Sequence, residues 1–422
     1  MSFALIVLLT LLISLADLTS AWLFSSDPDH LGIELIRFSR EGLMVVLAAW
    51  GLRAAHRSGA SFMFAVLYAG VIGGYAVLAS DDLELRVVIA SAAKLSLPIV
   101  LVAAGYGSLE TPRRLGLYTL ILAAIAGAST AFGAWDVGQT QFWTETLQYG
   151  HYLNGVKGII SGFDSYYVLP FNFFGYEGER RAGGLVAAPL AQGSMVAIGA
   201  MLGFAVLQRK AFWLALGVLL VGMIGVWQSG TRGAMLILLI AVPVFLVLSG
   251  RGGTMARNLV MLAALIAGTY QTLQFVYSYS ANFEDGSTIG HFEALQRNLE
   301  ELGDVAIVGP GIGASGSVAA DEGLEMAGGG EGSIFAIAYQ IGVPGAVIFL
   351  CYYAAILRKT LQARRLGGAT GDIASAVFAL GIGIITTLIS SDHIFSLSGM
   401  GIFWIVLGGI VAQADRAKAV RP

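Results

Sequence analysis

The 422-residue chain is 56% hydrophobic and only 12% charged, about half the charge content of a soluble domain. That is too few charges to cover a water-facing surface, which excludes a globular enzyme on one anchor and predicts many membrane spans. The formal net charge of −3 leaves no basic excess, so nucleic acid is not an expected partner.

Apolar runs near the length that crosses a bilayer, roughly 17–25 residues, are predicted near 3–24, 42–53, 60–79, 87–106, 116–134, 186–207, 211–228, 234–250, 259–277, 333–357, 373–390 and 398–413. They are continuous, not alternating, which excludes a β-barrel. The first run has no basic start and is interrupted by Asp17, so it reads as a span and not as a signal peptide. The expected fold is therefore all-α and polytopic, with about twelve transmembrane helices and two long outer loops. Five spans fall in 1–134, an aromatic-rich loop in 135–188, four spans in 189–277, a larger loop in 278–332 and three spans in 333–422. The 56 glycines suit close helix packing. The single cysteine, Cys351, excludes an intrachain disulfide and a cysteine-based metal site.

Orientation follows from Lys and Arg in the connections. Fifteen of the 24 belong to one set, from Arg53 and Arg57 through Arg358 and Lys359 to Arg421, whereas the other, longer set holds eight. The first set is expected to be cytoplasmic, which puts both termini in the cytoplasm. Of the acids, only Glu110, Asp372 and Asp415 join it, while the two long loops alone carry fifteen. No Walker A sequence is present, so chemistry is expected at the outer face without ATP hydrolysis.

The first long loop contains Trp135, Trp143, Tyr149, Tyr152, Phe173 and further rings, either an interfacial belt or a platform for sugar rings. In the second loop, Phe292, Leu295, Leu299 and Leu302 recur at helical spacing, with Ser287 or Thr288 as a cap. Gly311-Ile-Gly-Ala-Ser-Gly316 formally fits the dinucleotide fingerprint. It lacks the strand and crossover that motif needs, and reads instead as tight turns.

Arg232 opens the run at 234–250, and Arg180 and Arg181 precede the run at 186–207. Each is either a snorkelling cation or a clamp for phosphate oxygens, which a guanidinium fork meets at two points. All three fall where a helix N-terminus faces the outer side and itself attracts anions, so a pyrophosphate is the ligand class they fit. His291 and Glu331 are the neighbouring candidates for proton transfer. The plainer readings are a solvated helix start for His291 and a dipole-favoured loop acid for Glu331. Asp17 and Lys94, charged within spans, are paired structurally or line a lipid path; residues of this kind also occur in secondary transporters.

This pattern resembles the O-antigen ligase and polymerase superfamily. Ser229-Gly-Thr-Arg-Gly-Ala-Met-Leu236 is similar to its Arg-x-x-x-Leu element, and Ser287-Thr-Ile-Gly-His291 followed by Gly309-Pro-Gly-Ile-Gly313 resembles its large-loop pattern. Glu331-Gly-Ser-Ile-Phe-Ala-Ile-Ala-Tyr-Gln-Ile-Gly342 resembles the element that enters the following span. Ligases carry His-Asn or His-Ser where Glu331-Gly332 stands, and relatives often carry Arg where His291 stands; an acid suits the polymerases better. The resemblance implies a metal-independent, type C-like membrane glycosyltransferase without cofactor, in the bacterial inner membrane with its active site periplasmic. Its donor would be a glycan on undecaprenyl diphosphate and its acceptor the non-reducing-end hydroxyl of another lipid-linked repeat. Partners would be membrane lipids, a flippase and a chain-length regulator. Arg180, Arg181 and Arg232 would bind the pyrophosphate, and Glu331 or His291 would take the proton. The alternatives are a ligase delivering glycan to lipid A core or protein, and a secondary transporter.

Overall fold

The computed structural model describes residues 2–78, 84–160, 164–175, 178–249, 286–305, 307–324 and 327–420. The predicted span at 259–277 lies outside them. Among the described residues the chain is helical, with no strand and a single isolated bridge between Phe174 and Arg180.

The helices are α1 (Ser2–Ser26), α2 (Leu31–Ala55), α3 (Ala60–Leu78), α4 (Leu85–Ser108), α5 (Pro112–Asp136), α6 (Tyr149–Lys157), α7 (Pro189–Leu207), α8 (Phe212–Gln228), α9 (Arg232–Leu248), α10 (Gly286–Glu300), α11 (Ser317–Asp321), α12 (Ser333–Arg364), α13 (Gly368–Ile385) and α14 (Leu397–Val420). Eight of them are long and apolar enough to cross a bilayer: α1, α3, α4, α5, α7, α12, α13 and α14. The α8 and α9 helices are apolar but only 17 residues long. The predicted run at 42–53 belongs to the longer α2, whose first half carries Glu34, Arg37, Arg40 and Glu41 and so is not an apolar span. The chain is thus a polytopic membrane protein by helix length and composition.

The centre of the bundle is α7 and α14, of which 83% and 89% of the apolar windows are buried by protein. Close approach is bought with small residues. A Cβ on Gly105 of α4 would overlap the Ile405 carbonyl of α14, and one on Gly408 would overlap the Val102 carbonyl.

Ion pairs sort the helix ends. Glu110 pairs with Arg114 and Arg416, Asp372 with Arg209, and Asp415 with Lys359. All three acids of the strongly basic set of connections are therefore neutralised by bases of that same set. Asp17 of α1 pairs at 2.7 Å with Lys157, the last residue of α6, and Lys94 of α4 pairs at 3.1 Å with Asp392 in the turn after α13.

The α12 helix is interrupted. Ile341 and Gly342 leave helical conformation, Gly342 at φ 77° and ψ 163°, a region open essentially to glycine alone. Pro344 follows and cannot donate to the preceding turn. The Gly309–Gly313 stretch packs into this break: Gly313 N donates to Gln340 Oε1 at 3.0 Å, and a Cβ on Gly342 would stand 2.6 Å from the Ile307 carbonyl oxygen. The stretch follows a helix and a 3₁₀ turn and not a strand, as expected for turns. Gly342→Ala is expected to cost about 3 kcal/mol, read as a lower thermal midpoint in detergent; an unchanged midpoint would show that the break is not needed.

Candidate functional site

Three helix N-termini, those of α7, α9 and α12, meet at one end of the bundle, joined by their preceding turns. The turn before α7 is held by two polar side chains. Asp136, at the end of α5 and fully buried, accepts from Gly184 N at 2.7 Å, and the Tyr149 hydroxyl donates to the Ala187 carbonyl at 2.5 Å. Ala187 has φ 55°, a left-handed conformation that a residue with a Cβ adopts only under constraint. This turn is sewn to the one before α9: Ala182 N donates to the Gln228 carbonyl at 2.8 Å and Thr231 Oγ1 to the Pro189 carbonyl at 3.0 Å.

That stitching brings Arg181 to the turn from which Arg232 follows. Arg181 lies across Gly230, which is itself at φ 60°; a Cβ there would come 2.9 Å from Arg181 Nε. Arg232 is the first residue of α9, two positions further on. The Arg181 side chain thus crosses the turn from which Arg232 starts α9, beside a helix N-terminus whose dipole favours an anion.

Arg180 is placed differently. It is 10% exposed in its side chain, and all three of its nitrogens face protein acceptors. Nε donates to Thr140 Oγ1 at 3.1 Å, Nη1 to the Phe173 and Arg181 carbonyls at 3.2 and 3.0 Å, and Nη2 approaches Asp136. Its guanidinium also covers the Phe173 and Phe174 rings. Its geometry is that of a staple under the loop that presents Arg181.

The linked turns continue to α12 through the turn after α13. Gly233 faces Thr387 and His393, with a Cβ position 3.7 Å from His393 Cε1. The same turn receives the start of α12: the Ser333 N–H and hydroxyl both donate to the Ser391 carbonyl, at 2.9 and 2.6 Å. Glu331 stands two residues before α12. Its carbonyl accepts from Asn298 Nδ2 at 2.8 Å, while Asn298 Oδ1 accepts from Gly329 N at 2.9 Å. The Tyr339 hydroxyl closes this link by donating to the Asn298 carbonyl at 2.9 Å. Asn298 is buried in α10, the helix that also carries His291. The His291 side chain, like those of Ser287 and Thr288, lies outside the described residues; both capping candidates fall inside the first turn of α10 and not before it.

The buried face of α10 departs from the expected stripe. Leu295 and Leu302 pack on the core, but Phe292 and Leu299 are more than half exposed and Ala294 and Asn298 take the inner positions. The polar Asn298 faces inward because it satisfies the Gly329–Glu331 backbone, which would otherwise be buried without partners.

The structure also adds residues that the linear pattern did not show. His393 bonds to Ser391 Oγ at 2.7 Å through Nδ1, and burial, partly offset by Asp392, lowers its pKa, so it stays neutral at pH 7. Burial by itself would raise the Asp392 carboxyl, but the Lys94 ammonium together with a hydrogen bond from Ser317 outweighs it and holds the group below the ordinary carboxylate range. Because the folded pKa is the lower one, this pair stabilises the fold above about pH 4, and that contribution is lost as pH falls through the folded value. Asp392→Asn is accordingly expected to lower stability at pH 7 by about 2 kcal/mol and to flatten the acid side of the melting-temperature profile. Superimposable profiles would show that the pair contributes nothing.

Four rings of the first long loop form a small core of their own and so are not open to a ligand. Trp143, Tyr149, Tyr152 and Phe173 are at most 2% exposed and pack edge-on or tilted against one another. Trp135, Tyr166, Tyr167 and Phe171 remain exposed, Tyr167 the most at 75%. Among the described residues no cluster of three or more His, Cys, Asp or Glu is arranged to hold a metal ion.

No protein-family model matches the sequence, and no curated protein is significantly similar to it.

Proposed function

We propose that the chain is a polysaccharide polymerase of the O-antigen ligase and polymerase type, a membrane glycosyltransferase acting at the periplasmic face of a bacterial inner membrane. In this reading the span count is about twelve, the architecture is type C-like and both termini are cytoplasmic. The donor is a glycan on undecaprenyl diphosphate, and the acceptor is the non-reducing-end hydroxyl of another lipid-linked repeat. A flippase would deliver the repeats and a chain-length regulator would act beside it.

The observation that supports the reading is that Arg181 lies across the turn that starts α9 at Arg232, a turn hydrogen-bonded to the start of α7 and beside the turn that receives the start of α12, the latter preceded by Glu331. Two guanidinium groups and the positive end of a helix dipole suit a pyrophosphate that gains charge as it leaves. The acceptor oxygen attacks the anomeric carbon as the bond to the diphosphate oxygen breaks, and the hydroxyl proton passes to the Glu331 carboxylate. Attack opposite the leaving group inverts the anomeric centre. His291 is the second candidate for that proton. Asp17 and Lys94, the residues that would suit a transporter, are each paired with an opposite charge, which supports a structural role for both.

A strain lacking the protein tests the reading against a ligase. Single repeat units are expected to accumulate on the lipid carrier. Full-length chains left on the carrier would instead assign transfer to lipid A core or protein, and unchanged glycan would remove both.

A further inference from the structure

The opposite end of the bundle carries a polar cavity that the proposed reaction does not use. It is a cleft of about 480 Å³ between the N-terminus of α3, the second half of α12 and the end of α14. Tyr75, toward the other end of α3, accepts through its hydroxyl oxygen from the Gly309 N–H at 3.3 Å, near the break in α12. The cleft begins beyond that break and lies roughly 27 Å along the axis from Ser333, at about 1.5 Å per residue.

Its polar lining is basic: Arg358, Lys359 and Lys418, with the hydroxyl-bearing Ser58 and Ser61. Lys359 is committed to Asp415, which also accepts from Ser58 Oγ at 2.6 Å. Arg358 and Lys418 are exposed and meet no acid among the described residues, so the cleft keeps a net positive charge. The first amides of α3 add the positive end of a helix dipole on the same side.

A narrow recess of about 40 Å³ runs inward from Ser58 and Ser61, walled by Phe62, Ile99, Val102 and Tyr352. Tyr352 is 2% exposed, and its hydroxyl has no hydrogen-bond partner among the described residues. A buried hydroxyl without a partner is costly, so an acceptor in the recess would satisfy it. Outside the cleft, Met63, Val66 and Leu67 of α3 are about half exposed and form an apolar flank.

We propose that this cleft binds an anionic phospholipid. The phosphodiester sits against Arg358 and Lys418, an ester carbonyl reaches toward the Tyr352 hydroxyl, and the acyl chains lie along α3. A soluble phosphate would use the cations but neither the apolar flank nor the recess, and a zwitterionic lipid would place its own cation among the protein's.

Native mass spectrometry of the detergent-solubilised full chain, titrated with dioleoyl phosphatidylglycerol or dioleoyl phosphatidylcholine, tests this. The account predicts one retained phosphatidylglycerol in preference to phosphatidylcholine. Arg358→Ala with Lys418→Ala is expected to weaken it about thirty-fold, at about 1 kcal/mol per basic residue. Arg358→Lys with Lys418→Arg should stay within about three-fold. Both side chains are exposed, so folding is not at stake. Equal retention of the two lipids, or unchanged affinity in the alanine pair, would overturn the proposal. So would displacement of phosphatidylglycerol by millimolar inorganic phosphate, which would make the cleft a site for a soluble anion.

Discussion

Arg232→Ala is expected to lower chain elongation by about 10²–10³-fold, the range found when one preorganised donor to developing negative charge is removed. The side chain opens α9 at the turn where Arg181 crosses Gly230, so its loss leaves the pyrophosphate with one guanidinium fork and the helix amides. Arg232→Lys keeps the charge but not the two-point contact, and activity between that of Arg232→Ala and the native chain is expected. The defect should fall on both donor KM and kcat, since the diphosphate is bound in the ground state and gains charge in the transition state. An unchanged melting curve for the variant separates this from misfolding. If Arg232→Ala bound and turned over the lipid donor normally, the clamp would be wrong.

Glu331→Gln is expected to reduce kcat by about 10³-fold with little change in donor KM, because the amide keeps the shape of the side chain and cannot accept the proton. The backbone link from Asn298 to the Glu331 carbonyl does not depend on the carboxyl group, so the entrance to α12 should persist. Full activity in Glu331→Gln would pass the base role to His291. A comparable loss in Asn298→Ala with the carboxylate intact would show that Glu331 must be held in place as well as present.

Much of the helix layout is legible in the linear sequence because bilayer thickness imposes a run length that few other structures need. The ends are less so. The start of α2 carries four charges and reads as a loop, yet forms helix continuous with the apolar run. Pairings across the chain are not legible at all: Lys94 and Asp392 are 298 positions apart, and nothing in either neighbourhood names the other. The arginines show the same limit. Arg180 and Arg181 are adjacent and chemically equal in the sequence, but the backbone turn directs the first into Asp136, Thr140 and Phe173 and the second onto Gly230. The inward Asn298 was hidden because a polar residue within an amphipathic helix reads as its solvent face. The rings of the first loop read as belt or platform because their count says nothing of whether they pack on one another, as Trp143, Tyr149 and Phe173 do.

The most direct test of the account uses the purified full chain in detergent with an authentic undecaprenyl-diphosphate repeat unit, with products read by mass spectrometry. Glycans lengthening in whole repeat-unit steps, at a rate lost in Arg232→Ala and Glu331→Gln, are the predicted result. Absence of any longer product from an authentic donor, with the protein folded, would contradict it.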